Sequence, residues 1–294
     1  MPQTAHPSRA SSPLPSGGQS PRRGLIVNAD DFGASSSINQ AVVEAHVSGI
    51  LTTASLMVTR PAAQEAVELA RRHPTLGVGL HLTLADGYAA SPQAASSGLA
   101  EPSGKLPASP TVAGLRYFFN RRLREPLRAE IRAQLERFHA TGLRLDHVNG
   151  HLNIHLHPTV FSILLEERAR WSDAGFRLVR DPLRLNLRIA KGRWVYRGAH
   201  ALIYGLLSRA ATGRLRSRGV RHTEAVFGLL QYPRVDEDYF LRLAPFLPPG
   251  VSEIYSHPSL DQFRHEFEAL RSPRVRRLLD ELGIERLRYA DLAR

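Results

Sequence analysis

Two rhythms of apolar residues alternate along this chain. Short unbroken apolar runs are followed by segments in which apolar residues return every three or four positions. The first run, Leu25-Ile26-Val27, closes in Asn28-Ala29-Asp30-Asp31-Phe32-Gly33, the pattern of a buried parallel strand. Ile38, Val42 and Ala45 then mark one face of a helix, with Gly49 just past its end. Thr53 to Val58 predicts a second strand, and Pro61 stands in the first turn of a helix carrying Ala66, Leu69 and Ala70. Val78 to Leu82 predicts a third strand. Asp86 to Pro110 reads as one long loop, a length usually functional or mobile.

The pattern continues with a helix through Leu127, Ile131, Leu135 and Phe138, a strand from Leu143 to Val148, and a helix over roughly 159–171. Phe176 to Val179 predicts a strand ending at Arg180, and Ala225 to Leu230 another. A helix from about Asp236, a strand from Val251 to Tyr255, one helix over about 262–282 and a closing strand from Leu287 to Tyr289 complete the series. About seven strand-helix units predict an α/β fold, and favour a (β/α) barrel, complete or lacking a unit, over a doubly wound open sheet.

Composition changes this picture in three ways. The 294 residues, 43% hydrophobic, suffice for one domain, expected over 24–294. There is no cysteine, which excludes disulfides and thiolate chemistry and leaves His, Asp, Glu and neutral donors for any metal. The first 23 residues are rich in Ser, Pro and Gly without the apolar core of a secretory signal, and read as a disordered tail. With no apolar run of transmembrane length, a cytoplasmic location is expected.

Charge singles out one region. The formal charge is +12, and Arg177 to Arg221 holds 12 Lys/Arg against one acid, Asp181. This window, a basic insertion at about 182–221, encloses the apolar run Ala201 to Leu207. It suits either an anionic partner surface, membrane or nucleic acid, or a solvated Arg-rich face. No aromatic-rich basic motif or helix-turn-helix accompanies it, so no nucleic-acid partner is expected.

The chemistry-bearing residues share one position, the C-terminal end of a predicted strand. Asp30 and Asp31 follow the first, His81 ends the third, His151 and His155 follow the fourth, Arg180 the fifth and His257 the last long one. In a parallel barrel these ends meet at one rim, where active sites are built. Adjacent carboxylates repel, and a cation relieves the repulsion: one can bind a metal while the other serves as a base. A helix N-cap accounts for one of the two Asp and not both. A lone His at a strand end, as His81 is, is more often a hydrogen-bonded core residue than a ligand, and the Asp pair beside it favours ligation. Asp146 to Pro158 carries four histidines, of which His147 belongs in the strand and at most two can reach a metal. Two imidazoles, one carboxylate and open positions fit a hydrolytic metal and, on ligands alone, a non-haem iron oxygenase. His257 in Tyr255-Ser256-His257-Pro258 is either a proton donor to a leaving amine or structural. His155, Arg180 and Asn149 are candidate substrate contacts.

Val27-Asn28-Ala29-Asp30-Asp31-Phe32-Gly33, Gly79-Leu80-His81-Leu82, His147-Val148-Asn149-Gly150-His151 through His155-Leu156-His157-Pro158, and Ser256-His257-Pro258 together resemble the YdjC/ChbG carbohydrate deacetylases in order and spacing. The resemblance implies a (β/α)-barrel hydrolase that removes acetyl groups from N-acetylated sugars with one divalent metal, Mg or Zn foremost. By position, Asp31, His81 and His151 match the family's metal ligands and Asp30 its general base. The chitooligosaccharide branch carries three histidines in a row after Asp-Ser. His-Val-Asn-Gly-His followed by His-Leu-His-Pro looks more like the hopanoid-associated (HpnK-like) branch, which implies a glucosaminyl lipid as substrate. Contact of the basic window with a membrane from the cytoplasmic side, and a homodimer, are further expectations.

Overall fold

The computed structural model describes residues 23–190 and 192–292, so the expected tail lies outside the described residues except for Arg23, which already belongs to a strand. The strands are β1 (Arg23–Phe32), β2 (Thr53–Leu56), β3 (Gly77–Leu82), β4 (Leu145–Gly150), β5 (Gly175–Phe176), β6 (Ala225–Phe227), β7 (Gly250–Ser256) and β8 (Ile284–Arg286). The helices are α1 (Ser36–Ser48), α2 (Ala63–Arg72), α3 (Pro110–Phe119), α4 (Arg124–Ala140), α5 (Pro158–Glu166), α6 (Leu183–Ile189), α7 (Trp194–Arg216), α8 (Glu237–Leu243), α9 (Arg264–Arg271) and α10 (Pro273–Glu281).

Every strand pairing is parallel, in the order β5-β4-β3-β2-β1-β7-β6, with β8 beside the first three residues of β1. The sheet curls into an incomplete barrel. Its outer edges approach each other: Phe176 donates its N–H to the Arg221 carbonyl (2.8 Å) and Val226 to the Arg180 carbonyl (3.0 Å). β1 lies at the centre, and Leu25, Ile26, Val27 and Ala29 are fully buried, which is why this strand is a continuous apolar run. All strands point one way, so the chemistry-bearing residues at their C-terminal ends share one rim.

Local signals set most helix boundaries. Ser35 caps α1 by accepting from the Ile38 N–H, Val42 and Ala45 face the core, and α1 ends at Gly49. A β-carbon at Gly49 would stand 2.4 Å from the Leu270 carbonyl oxygen, so no larger side chain fits there. Leu127, Ile131, Leu135 and Phe138 of α4 are fully buried, as their spacing predicts.

Four expectations need correction. The long loop ends in an unexpected helix, α3, started by Ser109, which accepts from the Val112 N–H, and by Pro110 in the first turn. The helix expected over 262–282 is two, because Ser272 breaks it and caps α10 through the Arg274 and Val275 N–H groups. The closing strand is Ile284–Arg286, ahead of the stretch expected. The basic window supplies α6 and α7, which stand between β5 and β6 where the rhythm calls for a helix. Among the described residues, no helix is long and apolar enough to cross a membrane.

Candidate active site at the barrel rim

At the end of β1 the backbone of Asp31 turns left-handed (φ +63°), a conformation that Asp tolerates better than most residues. The turn is held by Asn39, whose side-chain oxygen accepts the Gly33 N–H at 2.8 Å. Asp31 Oδ1 consequently faces His81 Nε2 at 3.3 Å and His151 Nδ1 at 3.0 Å. One ligand atom from each of Asp31, His81 and His151 lies within 4.8 Å of the others. Asp31 Oδ1 is buried and makes no hydrogen bond of proper geometry. Burial pushes the Asp31 carboxyl up, but the two imidazoles facing it hold it well below the ordinary carboxylate range. His151 also has Asp86 at 4.0 Å from its Nε2, an acid on the long loop that the sequence reading did not single out.

A buried chain of polar side chains stands behind His81, and its direction follows from the donors available. Asp146 can only accept, so His147 donates Nδ1–H to it (2.9 Å) and keeps a lone pair on Nε2. The Ser55 hydroxyl donates to that nitrogen (2.9 Å), and its oxygen accepts from Asn28 (2.9 Å) and Asn149 (2.7 Å). The Asn149 oxygen is thereby turned to His81 Nδ1 at 2.7 Å, which must donate. Nε2, the atom that faces Asp31, is thereby the nitrogen of His81 left to ligate an ion.

Asp30 takes a different environment from its neighbour. Arg177, fully buried, grips it with both terminal nitrogens, Nη1 to Oδ2 at 2.7 Å and Nη2 to Oδ1 at 2.8 Å. Asn28 donates to Oδ1 at 2.8 Å. Burial opposes ionisation of Asp30, yet Arg177 and the nearby His81 and His257 hold its pKa far below the usual range. Arg177 also bonds Glu253 Oε1 through Nε (2.9 Å) and Nη2 (2.7 Å) and lies over the Tyr255 ring at 4.3 Å. The Tyr289 hydroxyl donates to Glu253 Oε2. Arg177 escaped the sequence reading because it sits within the run Phe176 to Val179, where Arg180 at the end drew attention instead.

His257 stands at the rim just past β7, its backbone N–H donated to Glu266 Oε2 at 2.6 Å. Its ring lies edge-on to Tyr232 and Tyr255, and its buried Nδ1 has no hydrogen-bond partner, 3.9 Å from Glu266 Oε2.

The three candidate substrate contacts lie elsewhere. Asn149 is fully buried behind His81 and orients it. His155 is also fully buried: left-handed Leu152 and Asn153 turn the chain inward, and its Nε2 meets the Arg177 carbonyl at 3.0 Å. Burial lowers its pKa to about 3, so it is a neutral core residue. Arg180 donates to Thr212 of α7 and lines a cavity of about 630 Å³ with Asp181, Tyr204 and Arg209, to which none of Asp31, His81 and His151 contributes.

The cluster fits a divalent ion on its own chemistry. Asp30, Asp31 and Glu253 place three carboxyl groups against one guanidinium, and Asp31 aims a bondless buried oxygen at two imidazoles. An ion held by Asp31, His81 and His151 would supply the missing charge and would leave positions open for water and substrate.

The model of the family described as YdjC-like protein matches residues 24–281. This chain belongs to the YdjC-like family. The match spans every residue from Asp30 to His257 described above. A carbohydrate deacetylase of Brevibacillus brevis is 42% identical over 142 residues, 48% of this chain and 54% of that protein. Carbohydrate deacetylase 2 of Listeria innocua is 29% identical over 286 residues, 91% of this chain and 98% of that protein. Thus this chain spans about half the length of its more identical relatives and nearly all of a more distant one. Among solved structures, an Enterococcus faecalis V583 protein named for cellobiose-phosphate cleavage superposes with a TM-score of 0.72 at 24% identity, over 94% of this chain and all of that one. That likeness supports the fold.

Proposed function

We propose that this YdjC-like protein is a metal-dependent hydrolase that removes the N-acetyl group from an N-acetylglucosaminyl moiety. The observation that carries the reading is the convergence of Asp31, His81 and His151 within 4.8 Å, beside the Asp30 carboxylate that Arg177 holds in place through both terminal nitrogens. A divalent ion bound there supplies Lewis acidity to an amide carbonyl and lowers the pKa of a water. In this reading Asp30 Oδ2, which Arg177 holds at 2.7 Å, accepts the proton of the attacking water. His257, at the rim just past β7, holds a proton for the departing amine. Water adds its oxygen to the acetyl carbon, the carbon–nitrogen bond breaks, and acetate and a free amine leave.

The acceptor we infer is a hopanoid-type glycolipid, supported by the run His147-Val148-Asn149-Gly150-His151. The test is acetate release from N-acetylglucosaminyl lipids and from chito-oligomers, with and without chelator. Chelator-sensitive acetate release from the lipid supports the whole reading, and release from chito-oligomers alone replaces the acceptor. Oxygen consumption without acetate overturns hydrolysis in favour of an oxygenase on the same ligands.

A further inference from the structure

Helix α7 is apolar on both sides: Ala211 and Leu215 are buried in the core, and a second apolar stripe faces outward. Its inward side buries Arg197 and Ser208, while Val195 (87% exposed), Leu202 (64%), Ile203 (52%) and Leu206 (59%) share the outward face. Helix α3 repeats the arrangement on a smaller scale: Val112, Leu115, Phe118 and Phe119 are all half or more exposed. The two helices flank the turn that carries His151. On one side the Tyr204 hydroxyl of α7 donates to the Leu152 carbonyl at 3.1 Å. On the other, Phe118 of α3 lies edge-on to His157, and Thr159 donates to the Tyr117 carbonyl. Leu152, next to the ligand His151, is itself 40% exposed between them.

The same two segments hold the chain's positive excess. Lys105–Arg124 has five basic residues and no acid, and Arg177–Arg221 has 12 and one, of which Arg177 and Arg197 are buried and do not face a partner. From totals of 39 basic and 27 acidic residues, the rest of the chain keeps 22 against 26. Exposed apolar helix faces set among arginines have the chemistry of a segment lying in the headgroup region of an anionic bilayer. A second copy of this chain is a poorer occupant, because two such faces would bring like charges together.

We propose that α3 and α7 form one docking surface for an anionic phospholipid bilayer, seating the rim that carries His151 at the membrane. The inference deepens the glycolipid reading above and rests on it for its purpose, but binding is measured without turnover.

The test is co-sedimentation of the full chain with phosphatidylcholine vesicles with and without phosphatidylglycerol, at low and high salt. The wild type is expected to sediment with phosphatidylglycerol vesicles, more weakly as salt rises. Leu202→Asp with Leu206→Asp, and separately Leu115→Asp with Phe119→Asp, should each weaken sedimentation on the order of tenfold or more, with unchanged thermal midpoints. Acetate release from a soluble N-acetylated sugar should persist in both. Failure of the folded wild type to sediment overturns the inference, as do equal binding by the double variants and a wild-type dimer that these substitutions dissociate. Vesicle binding without acetate release from any substrate leaves the docking surface standing and removes the deacetylase reading.

Discussion

His81 donates its Nδ1–H to the side-chain oxygen of Asn149 across 2.7 Å, and that bond decides which imidazole nitrogen faces Asp31. Replacing Asn149 with Leu keeps the branched shape of the side chain and removes the acceptor. His81 is then free to turn or to change tautomer, and affinity for a divalent ion is predicted to fall about 10–100-fold. Equilibrium dialysis with metal analysis reads this directly, and an unchanged affinity would show that the Asn149 bond is incidental.

The chain behind Asn149 leaves no slack. A β-carbon at Gly79 would come 2.4 Å from His147 Nε2, the atom bonded to Ser55. Gly79→Ala must therefore push the His147 ring off Ser55, at a predicted cost of about 1–3 kcal/mol. Thermal denaturation should show a lower midpoint, accompanied by weaker ion binding as the misalignment passes to His81. A wild-type midpoint would mean that the ring moves without resistance.

Among the described residues, Arg177 is the one cation that pairs with both Asp30 and Glu253. Arg177→Met strands two buried carboxylates and is predicted to destabilise the fold by about 3–5 kcal/mol. Adding Glu253→Gln should recover part of the loss, so the two effects combine less than additively in a double-mutant cycle. Simple additivity in urea unfolding would argue against the pairing.

The site was more legible than its supports. Asp30, Asp31, His81, His151 and His257 each follow an apolar run, and strand direction alone gathers such residues at one rim. Arg177 was hidden because a charge inside a short apolar run gives no sign of its partners, which lie 147 and 76 positions away. His155 was misplaced because two left-handed residues, Leu152 and Asn153, reverse the side-chain direction that loop spacing suggests. Helix α3 carries its own start signal at Ser109-Pro110, but its apolar residues face outward, so its spacing did not stand out as a core face.

Stability should carry a pH signature from Asp181. Burial raises its pKa from 3.8 to about 7, against hydrogen bonds from Leu230 and Asn186. Between about pH 4 and 7 the folded state holds a proton that the unfolded chain has released. The stabilising contribution is thus complete below the unfolded value and is lost as pH rises through the folded one, by up to about 1.4 kcal/mol per pH unit. His155 has the opposite sign: its pKa falls from 6.5 to about 3, so its stabilisation is lost as pH falls through that range. Asp181→Asn removes only the first slope. Its thermal midpoint should gain on the wild type from pH 4 to 7 and run parallel above, and a constant difference across that range would refute the assignment.

The account turns on one ion shared by three residues from separate strands. Titration of a divalent metal into the chelator-treated protein, followed by calorimetry, tests this most directly. The wild type should bind one equivalent at the high-affinity site, and Asp31→Ala, His81→Ala and His151→Ala should each abolish that site while remaining folded. High-affinity binding that survives all three substitutions would contradict the claim.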